Sequence, residues 1–175
     1  MKVTIINGGS GAKNIIIALI KNNKYKITSI INTFDDGKST GIIRKFFDMP
    51  GPSDIRKVHY LFLNNKNKNY KTYQKLYKYR FKNLDRRVIL IKLKKFVNGE
   101  DQNLFNIKLN NKRVNNYLKK CLFVFCSYLY NSEKKKSDKF DFNNCSLMNV
   151  CYAGSYIINK KNISKTIKEF EKIFS

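Results

Sequence analysis

The sequence predicts an α/β protein that begins with a parallel sheet and becomes rich in helices after residue 53. Two short segments, 2–7 and 26–33, carry apolar residues in runs that are typical of buried strands. Between them, a glycine-rich turn leads into residues 12–21, whose apolar residues favour a helix. A strand, a helix and a second strand in this order form a βαβ unit, and such units build parallel sheets.

The chain after the second strand is rich in glycine and proline and predicts loops, with a short amphipathic helix at 40–47. Ser53 or Asp54 is a suitable N-cap for a helix that runs to Phe62. Residues 88–97 suit either a strand or a helix. Four more helices are expected at 70–81, 117–130, 147–158 and 163–174, with loops at 110–116 and 131–141. Because no internal repeat and no clear linker is visible, we expect residues 1–175 to form a single domain with a Rossmann-like three-layer arrangement.

The composition is strongly basic, with 36 Lys and Arg residues against 12 Asp and Glu and a net charge of +24. Such charge is typical of nucleic-acid-binding proteins, but 30 of the basic residues are lysines. A surface that reads nucleic acid favours the bidentate fork of arginine, so nucleic acid is not expected as the main partner. The longest early apolar run, 15–20, is too short to span a membrane. The first residues leave no room for a signal peptide, so we expect a cytoplasmic protein.

The turn Gly8-Gly9-Ser10-Gly11 is the first candidate binding site. Glycines between a strand and a helix let the backbone approach a ligand, and the N–H groups at the helix start favour phosphate. A tight turn without a ligand is the alternative. The match to the dinucleotide-binding fingerprint is imperfect, because Asn14 stands where glycine or alanine is expected. A nicotinamide enzyme is therefore a weaker alternative.

Acidic residues are concentrated in two later turns. Asp35 and Asp36 follow the second strand, at the carboxyl edge where ligands of parallel sheets bind. Two carboxylates beside a phosphate suit magnesium, although a turn rich in Asp and Gly explains them equally well. In the next turn, Asp54 can cap a helix or face the same crevice, and Arg56 can clamp a phosphate.

These turns carry a resemblance to a known family. The segments 7–11, 32–44 and 52–56, with the sequences NGGSG, NTFDDGKSTGIIR and PSDIR, resemble successive motifs of the 2-phospho-L-lactate transferases and gluconeogenesis factors. A fourth segment, 145–149, resembles a later Ser-x-Gly-Asn motif, with Met148 in place of the usual glycine. The resemblance implies that Ser39 and Asn149 contribute to nucleotide binding, together with residues 8–11, Asp54 and Arg56.

The resemblance also implies a function. Transferases of this family join a phospholactyl group from a nucleotide-activated donor to a deazaflavin precursor, with Mg²⁺. Gluconeogenesis factors resemble them in fold and are tied to nucleotide-sugar binding and cell-envelope control. We therefore expect a phosphorylated, nucleotide-type small molecule as the ligand and a transferase-like reaction. A non-catalytic nucleotide-sugar-binding regulator and a basic nucleic-acid-binding protein are the alternatives. A homodimer is one oligomeric state that the sequence allows. The chain is expected to be the front part of a longer family domain.

Overall fold

A computed structural model describes residues 1–22, 24–35, 37–135 and 138–175. Twelve elements are assigned within these residues. Their order is β1 Lys2–Asn7, α1 Lys13–Lys21, β2 Lys26–Ile31, α2 Lys38–Phe47, α3 Pro52–Leu61, α4 Tyr70–Lys78, α5 Arg86–Asn98, β3 Asn103–Leu104, β4 Ile107–Lys108, α6 Lys112–Lys135, α7 Leu147–Ile158 and α8 Ile163–Phe174. No helix among the described residues combines the length and the apolar character that crossing a bilayer requires.

The front of the chain forms the predicted βαβ unit. Strands β1 and β2 pair in parallel, in a register that runs from Lys2 opposite Lys26 to Asn7 opposite Ile31. Alternate residues of both strands are half-buried on the inner face, and the outer face is exposed. Helix α1 covers the inner face through its buried Ile16, which packs in a small cluster with Val58 of α3. The prediction of a parallel sheet at the start of an α/β chain is therefore confirmed.

The helices after residue 53 build the main core. The largest interface joins α6 to α7, whose buried side chains pack with those of α2, α3, α4 and α5. Aromatic rings dominate this core; Phe47, for example, stacks on Phe125 with ring centroids 5.0 Å apart. Where α6 and α7 cross, a Cβ on Gly154 would collide with the backbone carbonyl of Cys121. Glycine at 154 therefore permits the close approach of the two helices.

Some predicted element boundaries were wrong and one open alternative is resolved, each for a local reason. Helix α3 is preceded by Gly51 as its N-cap, not by Ser53 or Asp54, because Pro52 occupies the first helical position that suits its fixed φ. The ambiguous segment 88–97 lies inside helix α5, which Asp85 caps by accepting a hydrogen bond from the N–H of Arg87. Helix α6 takes in residues 112–116 and 131–135 of the two segments predicted as loops, and most of these polar residues are exposed or half-buried on its surface.

The end of α4 explains a further difference. The helix stops at Lys78 rather than at 81, because residues 79–81 are extended and pair with residues 145–147. The N–H of Phe81 donates to the carbonyl of Cys145, and the N–H of Leu147 donates to the carbonyl of Tyr79. This pairing fixes the start of α7 beside α3 and α4. The short hairpin of β3 and β4 was not predicted at all.

Candidate functional site

The four motif segments meet around the first turn of α3. The N–H of Gly51 donates to the carbonyl of Thr33, at 3.0 Å, and joins this turn to the loop after β2. The hydroxyl of Ser53 contacts that of Thr40 in α2. It also accepts a hydrogen bond from Nδ2 of Asn149 in α7, at 2.9 Å. Residues more than 90 positions apart are thus brought to one place, as expected if the motifs form one site.

The glycine loop 8–11 lies against this same turn. A Cβ on Gly9 would collide with Oδ1 of Asp54 and would lie 2.6 Å from Cδ of Lys57. Any side chain at position 9 would therefore have to displace Asp54 and Lys57 of α3. A Cβ on Gly8 would make an ordinary contact with Asp54, and one on Gly11 would meet nothing within 4 Å. Gly8, Ser10 and Gly11 are exposed, so the backbone beside the α3 turn is accessible to a ligand.

Three helices begin in these motif loops without a capping side chain. The N-cap residues of α1, α2 and α3 are Ala12, Gly37 and Gly51. Elsewhere, Asp85 and Asn162 cap α5 and α8 by accepting a hydrogen bond from the helix backbone, whereas α4 and α7 also begin without a capping side chain. A helix start without a side-chain acceptor presents its N–H groups and the positive end of its dipole to solvent or to an anion.

A small cationic pocket opens between the glycine loop and helices α3 and α4. Its volume is about 170 Å³. The residues that line it provide backbone from the glycine loop, four cationic side chains and two tyrosines: Gly9, Ser10, Lys13, Arg56, Lys57, Tyr60, Leu61, Tyr77 and Lys78. At its edge, Asp54 forms an ion pair with Lys57 at 2.7 Å. The remaining charge is positive and suits an anionic ligand.

Arg56 is the buried cation of this pocket. Its Nε donates to Oδ1 of Asn149, at 3.1 Å, and its Nη1 donates to the carbonyl of Tyr77, at 2.7 Å. Burial, and then the nearby charge of Arg80, lower the pKa of Arg56 to about 10, so the guanidinium stays charged at neutral pH. Within the described ranges, no carboxylate forms an ion pair with it. A buried charge that neutral groups hold in place is poised for an anion.

Asn149 holds Arg56 from behind rather than lining the pocket. Its side chain is fully buried in α7, where it links the guanidinium of Arg56 to the hydroxyl of Ser53. Met148, which stands where the related motif has glycine, is also fully buried. Asn149 therefore fixes the orientation of the Arg56 guanidinium.

The predicted metal ligands are only partly described. Oδ1 of Asp35 accepts a hydrogen bond from the N–H of Gly37, at 2.9 Å, and Asp36 lies outside the described residues. The loop that carries Asp35 is fixed at both ends to the α3 turn, through Thr33 and Thr40. Ser39 is half-buried in the first turn of α2. No group of three potential metal ligands occurs among residues the structure describes.

Sequence reasoning missed Lys13, Lys57 and Lys78 of the pocket. The spacing of Lys57 three residues after Asp54 is typical of a helical ion pair and was available as a signal. Lys78 gave no signal, because only the packing of α4 on α3 brings it to the glycine loop. Ser146 was also missed: its hydroxyl is buried and has no hydrogen-bond partner among the described residues.

The comparisons with known proteins agree on the family. A family model described as 2-phospho-L-lactate transferase CofD matches residues 3–169. A protein of Streptococcus pyogenes named as a gluconeogenesis factor is 33% identical over 84 residues, 48% of this chain and 24% of that protein. The gluconeogenesis factor of Halalkalibacterium halodurans is 38% identical over 56 residues, 32% of this chain and 17% of that protein. The aligned part of this chain thus spans about a quarter or less of these relatives. No solved structure matches the chain.

Proposed function

Because this chain belongs to the 2-phospho-L-lactate transferase family, we propose that its motif cluster binds a phosphorylated, nucleotide-type small molecule and assists transfer of a phosphate-linked group from it. The family match supports a transferase-like protein; the donor, the magnesium and the reaction are our proposal. We also infer that the sheet belongs to a Rossmann-like three-layer domain in the cytoplasm. The outer face of β1 and β2 supports the three-layer arrangement, because Ile6 is 82% exposed there and parallel sheets are normally covered on both faces.

The observation that carries the proposal is the buried guanidinium of Arg56 beside the glycine loop. A phosphate in the pocket would accept hydrogen bonds from backbone N–H groups of the loop and from cationic side chains. In a site that is partly shielded from water, these interactions are stronger than at an exposed surface. Because Arg56 is held by Asn149 and by the carbonyl of Tyr77, its position is fixed before the ligand arrives.

Magnesium fits the carboxylate of Asp35. Magnesium takes one or two carboxylates and keeps several waters, so a complete protein cage is not required. Oδ1 of Asp35 is used by the N–H of Gly37, and the second carboxylate oxygen takes no part in that bond. When bound, magnesium would neutralise phosphate oxygens of the donor. Asp36 is the second proposed ligand.

A nucleotide-sugar-binding regulator is the second candidate function. It is favoured by the relatives named as gluconeogenesis factors and by the absence of a nucleophile–base pair in the described part of the pocket. Both functions need the same phosphate site. They differ in whether bound nucleotide is turned over, so only a kinetic measurement separates them.

Calorimetric titration with a nucleoside diphosphate, with and without Mg²⁺, tests the shared proposal. We expect Mg²⁺ to raise affinity in the wild type and to have little effect on Asp35→Asn. Asp101→Asn is the matched control, because Oδ1 of Asp101 accepts the N–H of a residue two positions later, as Asp35 does. Equal responses to Mg²⁺ in Asp35→Asn and in wild type would contradict the metal role. Transfer of the terminal phosphate group to an acceptor breaks the diphosphate bond, so formation of a nucleoside monophosphate that depends on Mg²⁺ and an acceptor would identify a transferase. Binding without this product would identify a regulator.

A further inference from the structure

A second concave surface lies between helices α5 and α6, away from the motif cluster. This α5–α6 groove has a volume of about 520 Å³. Apolar residues form most of its surface and charged residues stand at its rim: Arg86, Leu90, Lys94, Val97, Asn98, Phe123, Cys126, Ser127, Leu129, Tyr130 and Glu133. The proposed nucleotide function uses none of these residues.

Each helix contributes a stripe with helical spacing to the groove. On α5 the stripe runs through positions 86, 90, 94 and 97, with Asn98 beside it, and on α6 through 123, 126, 127, 130 and 133, with Leu129 beside it. Intervals of three and four residues place side chains on one face of a helix. The two helices pack against each other, so their stripes border one groove. The stripe on α5 is about 16 Å long at 1.5 Å per residue, which equals about three helical turns.

Large apolar side chains of the groove are exposed. Phe123 is 58% exposed and Tyr130 is 61% exposed, and both lie on α6. Clustered apolar side chains of this size favour an interaction partner over water. The groove is thus a surface that another element can cover.

The charge at the groove is positive. Glu133 is the one carboxylate among the described residues that line it; it pairs with Arg86 and also accepts a hydrogen bond from the N–H of Phe140. The ammonium of Lys134 lies 4.2 Å from the ring centroid of Tyr130, and Lys94 is exposed on the opposite side. Arg86 therefore neutralises Glu133, and Lys94 and the neighbouring Lys134 remain as the cations at the rim.

We propose that the α5–α6 groove binds an acidic amphipathic helix of a partner protein. The apolar face of such a helix would fill the groove, as in other helix-in-groove complexes, and its acidic residues would meet the cationic rim. The charge argues against a second copy of this chain as the occupant, because each copy carries +24. A membrane surface is too flat to enter a groove between two helices. A nucleic acid has no apolar side chains that could fill the apolar part of the groove.

Fluorescence anisotropy with a designed peptide tests this proposal. The probe is a labelled helical peptide of about three turns with leucines on one face and glutamates elsewhere. We expect it to bind the whole chain more tightly than a scrambled peptide of the same composition. Phe123→Asp and Lys94→Glu should each weaken binding about tenfold. Ile91→Asp is the matched control, because Ile91 is 54% exposed on α5 but does not line the groove, and it should change affinity less than about twofold.

Three results would overturn the proposal. The first is equal binding of the designed and scrambled peptides. The second is equal loss of affinity in the groove variants and in Ile91→Asp. The third is groove-dependent binding of anionic vesicles, RNA or a second copy in the absence of peptide binding. Circular dichroism of each variant would show that it is folded, and Tyr130→Ala offers a second groove variant without a new charge.

Discussion

Replacing Gly9 by alanine should destabilise the protein through the close contact between the glycine loop and α3. The new Cβ would collide with Oδ1 of Asp54 and lie 2.7 Å from its Cγ. Both atoms belong to a side chain that Lys57 holds in an ion pair, so the carboxylate must leave its place. Overpacking of this kind costs about 1–3 kcal/mol. For a chain of this length, each kcal/mol lowers Tm by about 2–4 °C.

Gly11→Ala is the matched control for Gly9→Ala. A Cβ on Gly11 would meet nothing within 4 Å, and its φ lies outside the left-handed region. Replacing such a glycine reduces the entropy of the unfolded chain and stabilises by about 0.4–1 kcal/mol. Urea unfolding should therefore show a lower free energy of unfolding for Gly9→Ala and a higher one for Gly11→Ala.

A double-mutant cycle identifies the contact. In an Asp54→Ala background, the carboxylate that obstructs the new methyl group is absent. The cost of Gly9→Ala should then fall by about 1 kcal/mol, as a coupling between touching residues. Equal costs in both backgrounds, or equal effects of Gly9→Ala and Gly11→Ala, would refute the close packing of the loop on α3.

Three other predictions concern the core and the pocket. Gly154→Ala should lower the free energy of unfolding by about 3 kcal/mol, measured by urea unfolding, because its Cβ would meet a backbone carbonyl of α6 that cannot move freely. Burial lowers the pKa of His59 from 6.5 to about 4. Between pH 6.5 and about pH 4, the unfolded chain therefore binds more protons than the folded chain, and the free energy of unfolding decreases as the pH falls. The free energy of unfolding should be about 2 kcal/mol lower at pH 5 than at pH 8, and His59→Gln should remove this difference. Asn149→Asp should place a carboxylate on Arg56 and weaken nucleoside diphosphate binding about tenfold in calorimetry, whereas unchanged affinity would contradict the role of Asn149.

The front of the fold was predictable because its signals are local. Apolar runs, a glycine-rich turn and their order were sufficient for β1, α1, β2 and their parallel pairing. The boundaries that failed depend on competing local effects, such as Pro52 at the first position of α3. The early end of α4 depends on pairing with a segment more than 60 residues away, which periodicity does not reveal.

The site was predictable as a set of motifs but not as a geometry. The sequence placed Arg56 and Asn149 among the candidates, but not the hydrogen bond that joins them, because they are separated by 93 positions. It also did not reveal that Lys78 reaches the glycine loop. Such contacts arise from the packing of α3 on α4 and α7.

The central claim is that the pocket beside the glycine loop binds phosphate through Arg56. Its most direct test is the affinity of a nucleoside diphosphate for Arg56→Met, compared with wild type and with Arg113→Met, which removes the same charge from an exposed position on α6. Loss of a charged hydrogen bond of about 1.5–3 kcal/mol should weaken binding by about 10- to 150-fold in Arg56→Met. Arg113→Met should bind within about twofold of wild type. Equal affinity of the two variants, with both folded, would contradict the account.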